Sequence, residues 1–179
     1  MSNPYQLPEA LSGRHDLGSF RCRSTEQTEW LHRHARQSAS MGTTRVFVVT
    51  EHEQNQVVAY HAWCMAQVQP DKATERLRKG GRRYPQPVAL LARLGVDTDH
   101  EGRGLGVGLL QDVFARLREL SADIGCRGLL VHAESTEARD FYLHLHLVYL
   151  HLVPEFEPSP TDDLHLLRLM KDIHRALRS

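Results

Sequence analysis

The spacing of apolar and polar residues along the chain predicts a mixed α/β protein. Leu110, Val113, Phe114 and Leu117 recur at intervals of three and four, which indicates an amphipathic helix from about 106 to 122. Two further helices are predicted, one that begins at Ser24 and is ended by Gly42 and one after Ser135, because each serine can cap a helix start. Strands are predicted over 45–51, 56–68, 88–96, 128–133, 145–153 and 164–170, with a weaker candidate over 19–22.

The length and charge of the chain narrow its class. With 179 residues, the whole range 1–179 is expected to form a single domain. The 22 basic and 22 acidic residues balance, so contact with nucleic acid would require a local basic patch. The three cysteines lack metal or redox spacing and are expected to be free thiols. No secretory signal or long apolar run is visible, so a cytoplasmic protein without a membrane contact is expected.

A glycine-rich turn separates the apolar strand pattern over 88–96 from the helix pattern that follows it. Gly102, Gly104 and Gly106 alternate in the segment "GRGLGVGLL". Backbone N–H groups without neighbouring side chains can converge on an anion, and the positive end of the helix dipole adds to the attraction. The turn therefore predicts a site for phosphate or pyrophosphate.

Three other interpretations of this turn were weighed. A P-loop requires Lys-Ser/Thr after the last glycine, and Val107-Gly108 stands there instead. A Rossmann turn belongs in the first β–α unit, whereas this turn follows two or three antiparallel strands. A glycine turn that serves only tight packing stays open as the alternative.

The segment "GRGLGVGLL", which follows the apolar strand over 88–96, resembles the signature of the Gcn5-related N-acetyltransferase (GNAT) family. In that family the turn binds the pyrophosphate of acetyl-CoA. The resemblance implies a GNAT fold, with a mixed, mostly antiparallel central sheet that is splayed at the fourth and fifth strands and flanked by helices. It also implies acetyl-CoA as co-substrate, with no metal. The implied cofactor-binding residues are Leu94, Val96, Gly102, Arg103, Gly104, Leu105, Gly106, Val107 and Asp140. Glu101, where relatives have Gln or Arg, Asp140, often Asn in relatives, and His146 depart from the family pattern.

The segment "STEARDFY" resembles the family's stretch whose tyrosine protonates the departing CoA thiolate. Tyr142 is thereby implied as the catalytic acid. A phenol has a pKa of about 10 and a thiol a pKa of about 8.5. Proton transfer from the phenol to the thiolate is therefore only slightly unfavourable in free energy, and a positioned tyrosine suits the role. The alternative is that Tyr142 packs beneath the sheet.

A basic stretch precedes the apolar strand over 88–96. Five cations without an intervening acid predict a patch for the phosphates of a polynucleotide, although a solvated loop is the alternative. Its members are Arg76, Arg78, Lys79, Arg82 and Arg83.

Three segments together resemble the TacT-type toxin branch of the GNAT family: "EWLHRHARQSASMGTTRVFVV", "LRKGGRRYPQPVALLARLGVD" and "VHAESTEARDFY". The resemblance implies an enzyme that acetylates the α-amino group of aminoacyl-tRNA, a ribbon-helix-helix antitoxin partner and a homodimer. The alternatives are a GNAT enzyme that acts on a small amine or a protein N-terminus, and an inactive module that binds CoA or a protein.

The histidines raise the question of a metal site. His144, His146 and His151 are close in sequence, but no cysteine or carboxylate joins them at ligand spacing, and residue 151 has the opposite strand parity from the other two. We therefore expect no metal there. His132, at the end of a buried strand, is the histidine expected to matter most.

Overall fold

The computed structural model describes residues 2–79, 83–148 and 155–178. The helices are α1 (Thr25–Arg33), α2 (Ala35–Ser40), α3 (Glu75–Arg78), α4 (Leu105–Leu120), α5 (Thr136–Val148) and α6 (Met170–Ala176). The strands are β1 (Glu9–Ala10), β2 (Arg45–Thr50), β3 (Val57–Val68), β4 (Gln86–Val96), β5 (Gly128–His132), β6 (Glu157–Pro158) and β7 (His165–Leu169). A 3₁₀ turn covers Thr98–His100.

The seven described strands follow the order β1-β2-β3-β4-β5-β7-β6 in one mixed sheet. The pairs β1·β2, β2·β3, β5·β7 and β6·β7 are antiparallel, and β4·β5 is parallel. The register of the parallel pair covers only residues 89–91 of β4, which itself continues to Val96. This short register agrees with the predicted splay, and the α/β fold class is confirmed.

Residue contacts divide the chain into two compact units. The first contains Met1–Cys64 and Ala92–Asp112, and the second contains Met65–Leu91 and Val113–Ser179. The expectation of a single domain over 1–179 stays a prediction. Among the described helices, none combines the length and the apolar composition that crossing a membrane requires.

The core of the first unit fills the space between its helices and the β2·β3 hairpin. Phe20, Leu31, Val48 and Tyr60 are completely buried there. The Tyr60 ring contacts Phe20 edge to face at 5.4 Å, and its hydroxyl donates to the Gln27 carbonyl at 2.7 Å. Gln27 lies in the first turn of α1, where its N–H donates to the predicted capping residue, Ser24.

A buried polar pair joins β3 to α4 within this unit. His61 is completely buried, and its Nε2 lies 2.8 Å from a carboxylate oxygen of Asp112. The His61 ring also stacks on Phe47 of β2 at 5.2 Å. Buried polar groups are stable only when they are hydrogen-bonded, so this pair fixes the approach of α4 to the strand.

The second unit builds its core on both faces of β5. Leu130 and the β7 residue Leu167 pack with Leu77 of α3, while Leu129 and Val131 point to the opposite face because strand side chains alternate. Gly128 begins the strand beside the backbone of β7. A Cβ atom at this position would lie 2.4 Å from the carbonyl oxygen of Arg168.

Three expectations about local structure are corrected. The candidate strand over 19–22 is not a strand. The Phe20 N–H donates to the Leu17 carbonyl and the Arg21 N–H donates to the Asp97 carboxylate, so neither pairs with a neighbouring strand. The strand predicted over 145–153 is helical through Val148, and 149–153 lie outside the described residues. Tyr142 and Leu145 are both buried. Their separation of three residues places them on one face of a helix, whereas in a strand they would face opposite sides.

The third correction concerns the first predicted helix, which is divided into α1 and α2 because His34 leaves the helical conformation between them. After the last predicted strand the sequence analysis assigned no element, and the structure has the short helix α6 there, in which Met170 and Ile173 are buried three residues apart.

Replacing Gly128 with alanine is expected to destabilise the protein by about 1–3 kcal/mol, because the strand must move to relieve a backbone clash. Gly125→Ala is the matched control, since a Cβ there meets nothing within 4 Å, and its effect is expected to stay within about 0.5 kcal/mol. Urea unfolding of both variants measures the difference. Equal midpoints would contradict the close approach of β5 and β7.

Candidate functional site

The glycine turn between β4 and α4 contains two residues with left-handed backbone. Gly102 and Gly104 adopt φ of +71° and +81°, the left-handed region in which a Cβ is strained. The helical ladder begins with the Gly108 N–H donating to the Gly104 carbonyl at 3.0 Å. The N–H groups of residues 105–107 precede this bond, so they point out of the helix start, where its dipole is positive.

Asp97 fixes the backbone at the point where β4 ends. One carboxylate oxygen accepts from the Arg21 N–H and the other from the Asp99 N–H, both at 2.9 Å. The Asp97 N–H donates to the Val58 carbonyl at 2.8 Å. Sequence reasoning missed this residue, although an aspartate two residues before an exposed backbone N–H is a recognisable turn signal.

The guanidinium of Arg103 is held beside the turn. Its nitrogens donate to the Tyr5 hydroxyl at 3.1 Å and to the Asp99 carbonyl at 3.2 Å. The Tyr5 hydroxyl in turn lies 2.9 Å from Nδ1 of His100. Arg103 remains exposed, so its positive charge is oriented but accessible to an anion.

Glu101, the acid that departs from the family pattern, is paired with Arg23. The guanidinium of Arg23 approaches a Glu101 carboxylate oxygen to 2.7 Å. This pairing offsets the negative charge next to the turn. The two residues are 78 positions apart, so no local sequence signal could have indicated the contact.

Leu94 and Val96 lie in the last part of β4 and are half-buried. Both pack with Leu105 against a cluster that contains Val58 and Leu109. Their side chains therefore fix the end of the strand against the start of α4. Their predicted role, backbone pairing with a pantetheine arm, stays a prediction.

Tyr142 lies on α5 and is 8% exposed. Its ring contacts Phe156 and Phe141 at centroid distances of 5.9 Å and 5.3 Å. Burial in this aromatic setting, and secondarily the negative charge of Glu134, raises the pKa of the Tyr142 phenol well above its ordinary value. The phenol therefore stays protonated at neutral pH, which a proton donor requires, and it also packs in the core as the alternative interpretation held.

Asp140, one turn before His144 on α5, is paired with its neighbour. A carboxylate oxygen lies 3.0 Å from the guanidinium of Arg139, and the Asp140 carbonyl accepts from Nδ1 of His144 at 2.7 Å. Arg139 also binds the carboxylate of Asp163, so its single positive charge is shared between two acids.

The described members of the basic stretch are one half-buried arginine and three exposed residues. Arg76 is bound by the carboxylates of Glu157 and Asp172, so its charge is used within the fold. Arg78, Lys79 and Arg83 are exposed. Arg82 lies outside the described residues.

Of the three histidines that the sequence analysis considered as a metal site, only His144 has a described side chain. His144 is on α5, the side chain of His146 is not described, and His151 lies outside the described residues. The structure instead brings His132 opposite His165 in the β5·β7 register. Sequence reasoning singled out His132 but missed His165, because the two meet only through strand pairing.

Comparisons with known proteins identify the family of the chain. The model of the acetyltransferase (GNAT) family matches residues 14–146. The chain therefore belongs to the acetyltransferase (GNAT) family. It is 38% identical over 173 residues to a protein of Mycobacterium tuberculosis (strain ATCC 25618 / H37Rv) named tRNA-acetylating toxin, covering 97% of this chain and 96% of that protein.

Solved structures share the fold at lower identity. A mutant of KacT superposes with a TM-score of 0.85 at 18% identity, covering 97% of this chain and 99% of that one. AtaT complexed with acetyl-methionyl-tRNAfMet gives 0.83 at 21% identity, with coverage of 97% and 99%. AtaTR bound with AcCoA gives 0.76 at 22% identity, with coverage of 97% and 98%.

Replacing Arg23 with alanine is expected to weaken the binding of a pyrophosphate-bearing ligand about 2- to 5-fold, because Glu101 then faces the turn uncompensated. Titration calorimetry with coenzyme A measures the change. The double variant Arg23→Ala/Glu101→Gln should recover the original affinity, since it removes the acid as well. An equally weak double variant would show that Arg23 acts by some route other than Glu101.

Proposed function

We propose that this chain is an acetyl-CoA-dependent N-acetyltransferase that acetylates the α-amino group of aminoacyl-tRNA and acts as the toxin of a toxin–antitoxin pair. The observation that carries the proposal is the left-handed glycine turn at the start of α4 in a member of the acetyltransferase (GNAT) family. The acceptor is suggested by the 38% identical relative named tRNA-acetylating toxin and by AtaT, whose fold is shared and which is complexed with acetyl-methionyl-tRNAfMet.

The turn is the proposed site for the pyrophosphate of the co-substrate. The residues around it fit an anion, since Gly102 and Gly104 leave open space where a Cβ would stand and Arg103 offers an oriented positive charge. Gly106 and the N–H groups of Leu105 and Val107 complete the proposed cradle. Leu94 and Val96 would pair through their backbone with the pantetheine arm, and Asp140 would contribute from α5.

The acceptor amine needs little help to lose its proton. An α-amino group has a pKa of about 7.7–8.0, and the ester on the same carbon lowers it further. A large fraction is therefore neutral at neutral pH. The co-substrate supplies an activated acetyl carbon, at which the C–N bond forms as the C–S bond breaks.

Tyr142 is the proposed acid for the departing thiolate. Its raised pKa keeps the proton on the phenol until a strongly basic group is presented, and a thiolate formed in a buried setting is such a group. Its aromatic neighbours Phe141 and Phe156 hold the ring in place. Positioning of this kind is what proton donation against an unfavourable pKa difference requires.

The exposed members of the basic stretch are the proposed contact for the tRNA backbone. Arg78, Lys79 and Arg83 are exposed, and Arg82 is assigned with them from the sequence alone. Arg76 was predicted in the same role. Its two carboxylate partners make it the member that instead supports the local fold, so we assign the phosphate contacts to the others.

The partners of the enzyme are also proposals. AtaT is described bound to the C-terminus of the antitoxin AtaR, which supports an antitoxin partner here. A ribbon-helix-helix fold of that partner, a homodimeric enzyme and a cytoplasmic location, where tRNA is charged, complete the proposal.

Incubation with radiolabelled acetyl-CoA and total charged tRNA tests the function directly. Label is expected on charged tRNA and not on deacylated tRNA, because the α-amine is the acceptor. Tyr142→Phe is expected to lower kcat about 10²- to 10⁴-fold with coenzyme A binding retained. Label on small amines or a peptide N-terminus alone would favour the other acceptor class. No transfer with coenzyme A bound would favour an inactive binding module.

The salt dependence of the reaction tests the basic patch. Four phosphate contacts, from Arg78, Lys79, Arg82 and Arg83, predict that kcat/KM for charged tRNA falls roughly 50- to 150-fold between 50 and 200 mM salt. The variant Arg78→Ala/Lys79→Ala should reduce that fall to roughly 7- to 12-fold, because two contacts are lost. Arg118→Ala, an exposed arginine on α4, is the matched control and should keep the full dependence. An unchanged slope in the double variant would remove the patch from the tRNA site.

A further inference from the structure

Two histidines and one aspartate lie together at one end of the β5·β7 pair. His132 ends β5 and stands directly opposite His165, the first residue of β7. Their ring centroids are 4.3 Å apart. Asp162 precedes β7, and its carboxylate lies 2.8 Å from Nδ1 of His165. One ligand atom from each of the three side chains lies within 4.8 Å of the others.

The backbone of the turn before β7 holds the aspartate in place. The Leu164 N–H donates to one carboxylate oxygen of Asp162 at 2.9 Å, and the His165 N–H donates to the Asp162 carbonyl at 3.2 Å. The carboxylate is therefore held in place beside the two histidine rings.

The three side chains can turn acceptor atoms toward one point. A neutral imidazole offers one nitrogen lone pair, and a carboxylate offers its oxygen lone pairs. A cation placed among the three groups would be bound by one such atom from each side chain.

We propose that His132, Asp162 and His165 bind a divalent transition-metal ion, with Zn²⁺ as the expected occupant. Two imidazole nitrogens and one carboxylate oxygen suit zinc, whereas calcium and magnesium prefer all-oxygen sites. The inference rests on these three side chains and is independent of the proposed acetyl transfer.

The geometry requires only side-chain movement. Zinc bonds of about 2.0–2.1 Å place tetrahedral ligand atoms about 3.3 Å apart, and the three atoms lie within 4.8 Å of one another, so no separation must close by more than about 1.5 Å. His132 is exposed, and the side chains of His165 and Asp162 are 31% and 40% exposed, which leaves room to rotate. The paired strands fix the Cα positions of the two histidines.

Three protein ligands leave at least one coordination position open to solvent. Closed structural zinc sites have four protein ligands, so this site is of the exchangeable kind. His165 also lines a cavity of about 190 Å³ together with Lys72, Thr74 and Ser159. The open position therefore has room for water or a small anion beside a lysine.

Titration of tag-free protein with Co²⁺, followed by visible absorption, tests the site. A d–d band that saturates at one equivalent and disappears on addition of Zn²⁺ is expected. His132→Ala and His165→Ala should each lower the affinity for Co²⁺ more than about 10-fold. Loss of a residue that only hydrogen-bonds a metal ligand already costs about 10-fold, and each histidine is a proposed ligand itself. His52→Ala is the matched control, because His52 is an exposed histidine outside the cluster, and its affinity should be unchanged.

A substitution that preserves the turn guards against a folding defect. Asp162→Asn retains an oxygen for the Leu164 N–H but removes the charge, and it should also weaken Co²⁺ binding more than about 10-fold. Absence of a band up to millimolar Co²⁺ in the wild-type chain would overturn the inference. So would a band of wild-type strength in the folded Asp162→Asn and His132→Ala variants.

Discussion

The hydrogen bonds of Asp97 define where the strand β4 stops and the glycine turn starts. This side chain is 9% exposed and joins the backbone before α1 to the backbone after β4, while the Asp97 N–H is held by β3. A left-handed turn has no rigid side chains of its own, so its position depends on what holds its ends. With one end held by Asp97 and the other by the first hydrogen bond of α4, the N–H groups between them have a fixed direction.

The two acidic residues that depart from the family pattern are each paired with an arginine. Glu101 is offset by Arg23 and Asp140 by Arg139, so neither position presents an isolated negative charge. Arg76 shows the converse, because two carboxylates use a cation that the sequence assigned to an external ligand. The number of charged residues in a sequence segment is thus larger than the number of charges that the folded surface leaves available for a ligand. The exposed remainder of the basic stretch is correspondingly smaller than the sequence indicated.

The sequence alone predicted the elements whose structure depends on neighbouring residues. The hairpin β2·β3, the strand β4, the turn and the helix α4 all follow from local period and from glycine chemistry, and Ser24 and Ser135 cap helices as expected. It was insufficient where distant segments decide the outcome. The alternation in 145–153 fits a strand in isolation, but α5 continues through Val148 because Leu145 is buried one turn from Tyr142. The pairing of His132 with His165 likewise depends on a register that no local pattern contains.

Alternate residues of strand β5 lie on opposite faces of the sheet. Leu130 and His132 belong to one face and Leu129 and Val131 to the other, and Gly128 ties the strand closely to β7. Loss or gain of a single codon within this strand would exchange the two faces, since side-chain direction alternates with every residue. Evolution can therefore vary β5 by substitution but not by length. Among homologous genes this short segment should be free of insertions and deletions, whereas the loops on either side of it can tolerate them.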